Sequence, residues 1–137
     1  MGKGAKRGGA ALLSLALMAS LTACRQTPTY TGPPNLIVHI LMKKWVIVPN
    51  RIVVPLGAKV ELVVMTTDVE HGIAVPGLAI NEPVQPGRTT VVRFLAQKPG
   101  VYPMHCSVYC GRGHDKMRGE IVITPAPAAL SPAPVHK

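Results

Sequence analysis

The sequence is poor in aromatic rings and in carboxylates, and both shortages limit what the protein can do. Its 137 residues include one Trp, three Tyr and one Phe, and only six Asp and Glu against fifteen Lys and Arg. Few rings are available to stack on bases, and the N-terminus is typical of exported proteins, so we expect no nucleic-acid partner. No pair of acids and no activated nucleophile is evident, so the sequence does not predict a catalytic site of its own.

A hydrophobic run long enough to cross a membrane is also missing. The apolar stretch at residues 10–21 follows three basic side chains and is too short for a spanning helix. Residues 1–23 are therefore predicted to be an export signal. The signal ends in Leu-Thr-Ala before Cys24, which resembles a bacterial lipobox. This resemblance implies that Cys24 is lipidated and anchors the exported chain to the outside of a cell membrane or to an outer membrane.

The rest of the chain divides into a folded unit and two polar flanks. Residues 24–34 are predicted to be a flexible tether, and residues 125–137 a disordered Pro/Ala-rich tail, so His136 is not a candidate ligand. Residues 35–124 contain runs of Val, Ile and Leu separated by Pro and Gly, without helical periodicity. This pattern predicts an all-β, antiparallel sandwich. Its strand-like runs are NLIVHIL, KWVIV, KVELVVM, TTVVRFL and GEIVIT.

One short segment concentrates the side chains that bind metals. Cys106, Cys110, His114 and Met117 lie within twelve residues. Thiolate, thioether and imidazole together are ligands that suit copper. Calcium and magnesium need oxygen ligands, and Asp115 is the one carboxylate nearby. The segment is therefore a candidate copper site.

Three other interpretations of this cluster remain open. In an oxidising compartment, Cys106 and Cys110 could form a disulfide. Zinc could bind both cysteines, His114 and one further histidine. Met117 could be ordinary core packing, as most Met residues are. The disulfide leaves His114 and Met117 without a role, and zinc has no use for Met117, so copper is favoured.

A histidine from an earlier loop would complete a copper site. Cys110, His114 and Met117 match the ligands of a mononuclear blue-copper site, which needs one more histidine. His71 lies between two strand-like runs and is the candidate. Cys106 is then a surplus ligand, and a second thiolate able to bridge would let the same loop hold two copper ions.

Three other residues near these motifs are expected to lie outside the site. His39 alternates with apolar residues in a strand-like run, so it is predicted to lie on a sheet face. Strand alternation points His105 away from Cys106. Trp45 is the only tryptophan, and we expect a core or rim aromatic rather than part of an electron path.

An upstream His followed by C-x3-C-x3-H-x2-M resembles the CuA domain of cytochrome c oxidase subunit II, a cupredoxin. The similarity covers the whole folded unit, including TTDVEHGIAV and KPGVYPMHCSVYCGRGHDKMRGEIVI. It implies a cupredoxin-like Greek-key β-sandwich with two copper ions that share an electron. In that family two cysteine sulfurs bridge the coppers, and each copper has one histidine and one weak ligand. The implied ligands are Cys106 and Cys110 as bridges, His71 and His114 as terminal ligands, and Met117 and the backbone carbonyl of Val108 as weak ligands.

The chain departs from this family at two places. Conventional subunit II has a transmembrane hairpin before the domain, where this chain has a predicted lipid anchor. The family usually carries Glu at the position of Val108, whose carboxylate helps to bind magnesium at the contact with subunit I. Val108 offers only its carbonyl group, so an ordinary oxidase interface is not expected.

Positive charge surrounds the candidate site. The formal net charge of +9 falls to about +6 without the three basic residues of the signal, and Arg112, Lys116 and Arg118 lie in or beside the cysteine segment. A redox partner that docks there is expected not to be strongly basic. A solvated basic rim without a partner is an equally good interpretation of these charges.

The sequence thus predicts a monomeric, membrane-tethered electron-transfer protein that is not catalytic alone. It would serve an oxidase as the electron-accepting subunit or as a separate donor protein. The alternative function is a copper-delivery lipoprotein in the periplasm. Delivery needs exposed, exchangeable ligands, whereas electron transfer needs a buried and fully occupied site.

Overall fold

The computed structural model describes residues 29–125. The predicted signal, Cys24 and residues 126–137 of the predicted tail lie outside the described residues. Within residues 29–125, no helix is long and apolar enough to cross a membrane. The strands are β1 (Leu36–Lys43), β2 (Val46–Val48), β3 (Arg51–Pro55), β4 (Lys59–Thr66), β5 (His71–Val75), β6 (Ile80–Val84), β7 (Thr90–Leu95), β8 (Gly100–Cys106) and β9 (Arg118–Thr124), with single-turn 3-10 helices at Pro76–Leu78 and His114–Lys116.

Two sheets enclose one apolar core, which confirms the predicted β-sandwich. The first sheet has the strand order β2-β1-β4-β7, and the second has the order β3-β9-β8-β5-β6. Alternate residues of each strand point inward, as the pleat requires. In β4 these are Val60, Leu62 and Val64, which are completely buried together with Phe94 and Ile121.

Two strand pairs are parallel, so the expectation of a purely antiparallel sandwich was wrong in this respect. Strand β1 pairs in parallel with β4, and β3 pairs in parallel with β9. Both pairs follow from the path of the chain, which crosses between the sheets from β2 to β3 and from β3 to β4, and crosses again at β7 before β9 pairs with β3. A hairpin cannot join strands that are reached by such a crossover.

Four strands, β3, β5, β6 and β8, lie outside the strand-like runs that were identified in the sequence. Strand β5 is buried at all five residues and therefore lacks the alternation of a half-exposed strand. Strand β6 lies between two of the predicted runs, in a segment that contains Asn81 and Pro83. It is an edge strand, where proline is tolerated because one side of the strand needs no ladder hydrogen bonds.

The last part of the predicted tether, residues 24–34, contacts the folded domain. The Tyr30 hydroxyl donates a hydrogen bond to the Val60 carbonyl at 3.3 Å. Asn35 and Lys59 exchange hydrogen bonds of 3.0 and 2.8 Å. From Tyr30 onward the chain therefore follows the start of β4.

Candidate metal centre

The candidate ligands come together at one end of the second sheet. His71 is the first residue of β5 and Cys106 is the last residue of β8. These strands are paired, with Ile73 opposite Cys106. The loop after β8 is closed at its base because the Cys106 N–H donates to the Met117 carbonyl at 3.1 Å. The sheet thus fixes His71 and Cys106, and this hydrogen bond holds the two ends of the loop together.

The two thiols are free and buried, and each has its own imidazole. The Sγ atoms of Cys106 and Cys110 are 3.9 Å apart, so they do not form a disulfide in this structure. His71 Nδ1 lies 3.7 Å from the sulfur of Cys106, and His114 Nδ1 lies 3.7 Å from the sulfur of Cys110. His71 is completely buried, whereas His114 is half-buried. The arrangement is two sulfurs at the centre with one ring nitrogen on each side.

Two weaker donors complete the cluster. The Cys106 thiol donates to the Val108 carbonyl with an Sγ···O distance of 3.2 Å. The Met117 sulfur lies 3.4 Å from the sulfur of Cys110, and the Met117 side chain is completely buried. The structure thus brings together all six groups that the sequence and the resemblance indicate.

The donor spacing fits metal binding. Atoms bound to one tetrahedral ion at about 2.0–2.3 Å are separated by roughly 3.5 Å. The contacts to the two sulfurs range from 3.2 to 3.9 Å. A structural zinc site would use the thiols and imidazoles alone, but here a thioether and a carbonyl oxygen also face the sulfurs. Soft sulfur with imidazole is the ligand chemistry of copper.

Asp68 holds His71 in position and was missed by sequence reasoning. Its Oδ1 atom is 2.8 Å from His71 Nε2, which leaves Nδ1 directed at Cys106. The same carboxylate accepts backbone hydrogen bonds from Lys44 and Val69, each at 2.7 Å. Partial burial raises the pKa of Asp68, but these hydrogen bonds and the one from His71 outweigh it and hold the pKa well below its usual range. The available signal was an acid three residues before a candidate ligand.

Trp45 covers the cysteine loop from outside. A Cβ atom on Gly111 would lie 2.5 Å from the indole ring, and one on Gly113 would lie 2.4 Å from it. Gly111 also has a positive φ of 123°, which other residues rarely adopt. Trp45 is half-buried and packs against the core. The expected rim aromatic is therefore in place, and these two glycines let it lie directly on the ligand loop.

Gly113→Ala is expected to lower the free energy of unfolding by about 1–3 kcal/mol, because its methyl group would overlap the indole ring of Trp45. Gly113 has a φ of −100°, so alanine brings no backbone strain. Urea denaturation would measure the loss. In the double variant with Trp45→Ala, the cost of the added methyl group should largely vanish. An equal cost of Gly113→Ala in both backgrounds would contradict this account of the contact.

The metal-free protein is expected to lose stability as the pH rises from 9 towards 11. Burial, and then the neighbouring Cys106, raise the pKa of the Cys110 thiol to about 11 from an ordinary value of 9.0. The folded state thus binds the thiol proton of Cys110 more tightly than the unfolded state. The stability that this proton contributes is lost as the pH rises through the pKa of the folded state. Thermal unfolding of metal-free protein at a series of pH values checks the direction. Cys110→Ala should show a smaller decline over this interval, and an unchanged decline would refute the assignment.

The other residues singled out in the sequence lie around the cluster. His39 is exposed on a sheet face, and half-buried His105 lies beside Cys106 without contacting the sulfurs. Arg112 and Lys116 are exposed next to the site. Tyr109 is 76% exposed, and its ring centroid lies 5.8 Å from that of His114. The edge of the cluster nearest the solvent is therefore His114, bordered by an aromatic ring and cations.

Comparison with known proteins agrees with this geometry. Residues 33–125 match the family model described as cytochrome c oxidase subunit II, periplasmic domain. A cytochrome c oxidase subunit 2 of Thermus thermophilus is 40% identical over 98 residues, covering 72% of this chain and 73% of that protein. A second Thermus thermophilus subunit 2 sequence matches at the same identity, and the chain covers 58% of it.

Solved structures support the same fold. The periplasmic domain of oxidase subunit II from Bradyrhizobium japonicum superposes with a TM-score of 0.64 at 23% identity, covering 70% of this chain and 88% of that one. Auracyanin B superposes with a TM-score of 0.59 at 15% identity, covering 72% and 96%. The predicted cupredoxin-like fold is thereby confirmed. With its buried His, Cys and Cys cluster, the chain belongs to the cytochrome c oxidase subunit II family, as an extracytoplasmic, copper-binding CuA domain.

Proposed function

We propose that this domain holds two copper ions between the thiolates of Cys106 and Cys110 and passes single electrons to or from an oxidase. The observation that carries the proposal is the buried pair of thiols, 3.9 Å apart, each with its own imidazole nitrogen at 3.7 Å. His71 and His114 would be terminal ligands, and Met117 and the Val108 carbonyl the weak ones. When bound, the copper pair supplies a one-electron redox couple whose charge is spread over two ions.

The chain's own residues would favour rapid electron transfer. The two strands that carry His71 and Cys106 are paired, so these ligands move little when the charge changes. Asp68 fixes the ring of His71 and Trp45 restrains the loop. Burial of His71 and Cys106 keeps water from that half of the cluster. A rigid, dry shell lowers the cost of reorganisation during electron transfer.

Burial also argues against copper delivery. A delivery protein must release its metal to an acceptor, which requires ligands that solvent and the acceptor can reach. His71 is completely buried, and Cys106 and Cys110 are 2% and 8% exposed. Electron transfer needs no exchange of ligands, and only the edge at His114 has to approach a partner.

Metal counting with spectroscopy tests the copper count and the function. The purified chain is loaded with copper, its copper content per chain is measured, and its optical and EPR spectra are recorded. Two ions per chain with one unpaired electron shared between equivalent copper nuclei support the proposal. A single copper, or copper(I) that passes readily to a chelator, would refute electron transfer by a binuclear centre and support delivery.

The redox partner is proposed to be a cytochrome or an oxidase subunit that is not strongly basic. Lys44, Arg112 and Lys116 are exposed near Trp45 and His114, and Lys44 Nζ lies 5.8 Å from the centroid of the Trp45 ring. These cations attract an acidic surface, tolerate a neutral one and repel a lysine-rich one. Val108 cannot supply a carboxylate for magnesium, so the contact with an oxidase core is proposed to form without that ion.

Lipidation of Cys24 is proposed to tether the domain to the membrane. Labelled palmitate supplied to cells that express the chain is expected to appear on the protein, and Cys24→Ser should lose the label. Several acyl chains on one residue would give the stable attachment that a single chain cannot. Label that persists in Cys24→Ser would show that the anchor lies elsewhere.

A further inference from the structure

The solvent-facing side of the first sheet is unusually apolar. Strands β1, β2, β4 and β7 carry exposed or half-exposed aliphatic side chains here, and Ile37, Val46, Val48, Met65 and Val91 are 42–52% exposed. We call this surface the lateral face. Its apolar members are Ile37, Leu41, Val46, Val48, Val63, Met65 and Val91, and exposed His39 lies among them.

The strand register makes these side chains one continuous patch. Leu41 lies directly between Val48 on one neighbouring strand and Met65 on the other. Val63 lies between His39 and Val91 in the next row. Neighbouring strands are about 4.8 Å apart, so side chains in a row touch. Patches of this kind on a soluble domain mark a surface that something else covers.

The corresponding side of the second sheet is different. Its exposed aliphatic side chains form one row, in which Val122 lies between Val53 and Val101. The next row carries an ion pair between Arg51 and Glu120, just as Glu61 and Arg93 pair beside Ile37 on the lateral face, so the two sides differ in the number of aliphatic rows. The two sides of the sandwich therefore differ in polarity, which would give the domain a preferred orientation at an interface with an apolar medium.

The N-terminal segment reaches the domain at the border of the lateral face. The Thr31 carbonyl accepts a hydrogen bond from Lys59 Nζ at 3.2 Å. Burial raises the pKa of Tyr30, and the charges of Arg93 and Glu61 on the lateral face also act on its hydroxyl. Only residues 25–28 lie between Cys24 and Thr29, the first described residue. Even a fully extended chain of this length keeps Cys24 within about 17 Å of Thr29.

The charges around the lateral face are positive. Lys43 lies at one end of the face, and Lys59 and Arg93 lie at the other. Glu61 is the one acid on this face within residues 29–125, and Arg93 pairs with it at 2.7 Å. An apolar centre with a cationic border matches an anionic phospholipid surface, which attracts basic residues and accepts aliphatic side chains.

A second copy of the chain fits the lateral face less well. Four strands of about six residues cover roughly 400 Å². A stable protein–protein interface buries about 800 Å² on each partner. A lipid surface has no such minimum, because the acyl anchor already supplies most of the attachment.

We propose that the lateral face rests on the surface of an anionic phospholipid bilayer. The proposal depends on the lipid anchor at Cys24 proposed above. Strands β1 and β4 lead from the Tyr30 contact towards Trp45 and His71, so the copper end lies at the far end of these strands from the attachment. With the face on the membrane, the strands lie along the bilayer and His114 is presented sideways, towards partners embedded in the same membrane.

Site-specific photo-crosslinking tests this orientation. The full-length lipidated chain, with benzoylphenylalanine in place of Met65, Val91 or Val101, is reconstituted in vesicles of phosphatidylglycerol and phosphatidylethanolamine and irradiated. We expect phospholipid adducts at Met65 and Val91, and none above background at Val101, an exposed aliphatic control on the opposite side. Equal yields at all three positions, or a Met65 adduct with a second copy of the chain, would overturn the proposal.

Two further readouts separate this proposal from those on which it rests. Circular dichroism reports whether each substituted chain is folded, and the copper spectrum reports whether the binuclear centre exists. Palmitate labelling reports the anchor, and a chain without label would reject the anchor together with the orientation. A labelled chain with a normal copper spectrum but no lipid adduct at Met65 or Val91 would reject the orientation alone and leave electron transfer intact.

Discussion

Cys106→Ser is expected to abolish the shared-electron spectrum and to reduce the copper content from two ions per chain to one. The Cys106 sulfur contacts His71, the Val108 carbonyl and the Cys110 sulfur. Its loss removes one of the two proposed bridging sulfurs and the group that His71 and the Val108 carbonyl both face. Cys110, His114 and Met117 remain in contact with one another, and with His71 as the second histidine they would supply the ligand set of a mononuclear copper site. Copper counting and EPR measure both changes.

Cys110→Ser is the matched comparison. The Cys110 sulfur contacts His114, Met117 and Cys106, so its removal leaves only His71 and the Val108 carbonyl beside the remaining thiolate. This variant should lose more copper than Cys106→Ser and should not give a blue-copper spectrum. Survival of the shared-electron signal in either variant would show that the assignment of bridging ligands is wrong.

Asp68→Ala is expected to lower copper affinity by about 10–100-fold, the usual effect of removing a group that orients a metal-binding histidine. The alanine releases the ring of His71 and deprives the Lys44 and Val69 N–H groups of their acceptor. A loss of about 1–3 kcal/mol in the stability of the metal-free protein should accompany it. Competition with a copper chelator and urea denaturation measure the two effects separately.

Two other substitutions distinguish positioning from mere loss of charge. Asp68→Asn keeps an oxygen acceptor, so it should retain most of the stability while still changing the hydrogen bond to His71. Asp115→Ala removes an exposed acid in the ligand loop and should leave copper affinity nearly unchanged. If Asp115→Ala weakened copper binding as much as Asp68→Ala, the contact with His71 would not explain the result.

The chemistry of the site was readable from the sequence because the ligands lie close together in the chain. Cys106, Cys110, His114 and Met117 belong to one loop, and their spacing already limited the metal. The choice of His71 needed only its position between two strands. Their roles as copper ligands stay predictions, although the structure brings all these donor groups into contact.

The residues that hold the ligands in place, Asp68 and Trp45, could not be predicted from the sequence in the same way. Asp68 and Trp45 act through contacts that depend on how the β1–β2 turn folds over the ligand loop. Periodicity also failed for β5, which is buried on both faces, and for β6, an edge strand that contains Pro83. The parallel pairs arise from crossovers between sheets, which no local pattern encodes. The all-β class could be predicted from residue composition and from the Pro and Gly residues that separate the apolar runs.

The separation of His71 and Cys106 in the chain bears on when copper can be acquired. These residues are 35 positions apart, and they meet only after β5 and β8 have paired. If the predicted signal exports the chain in an unfolded state, the chain in transit would have no complete binding site. Folding would then precede copper binding, and the copper would have to be supplied on the outer side of the membrane.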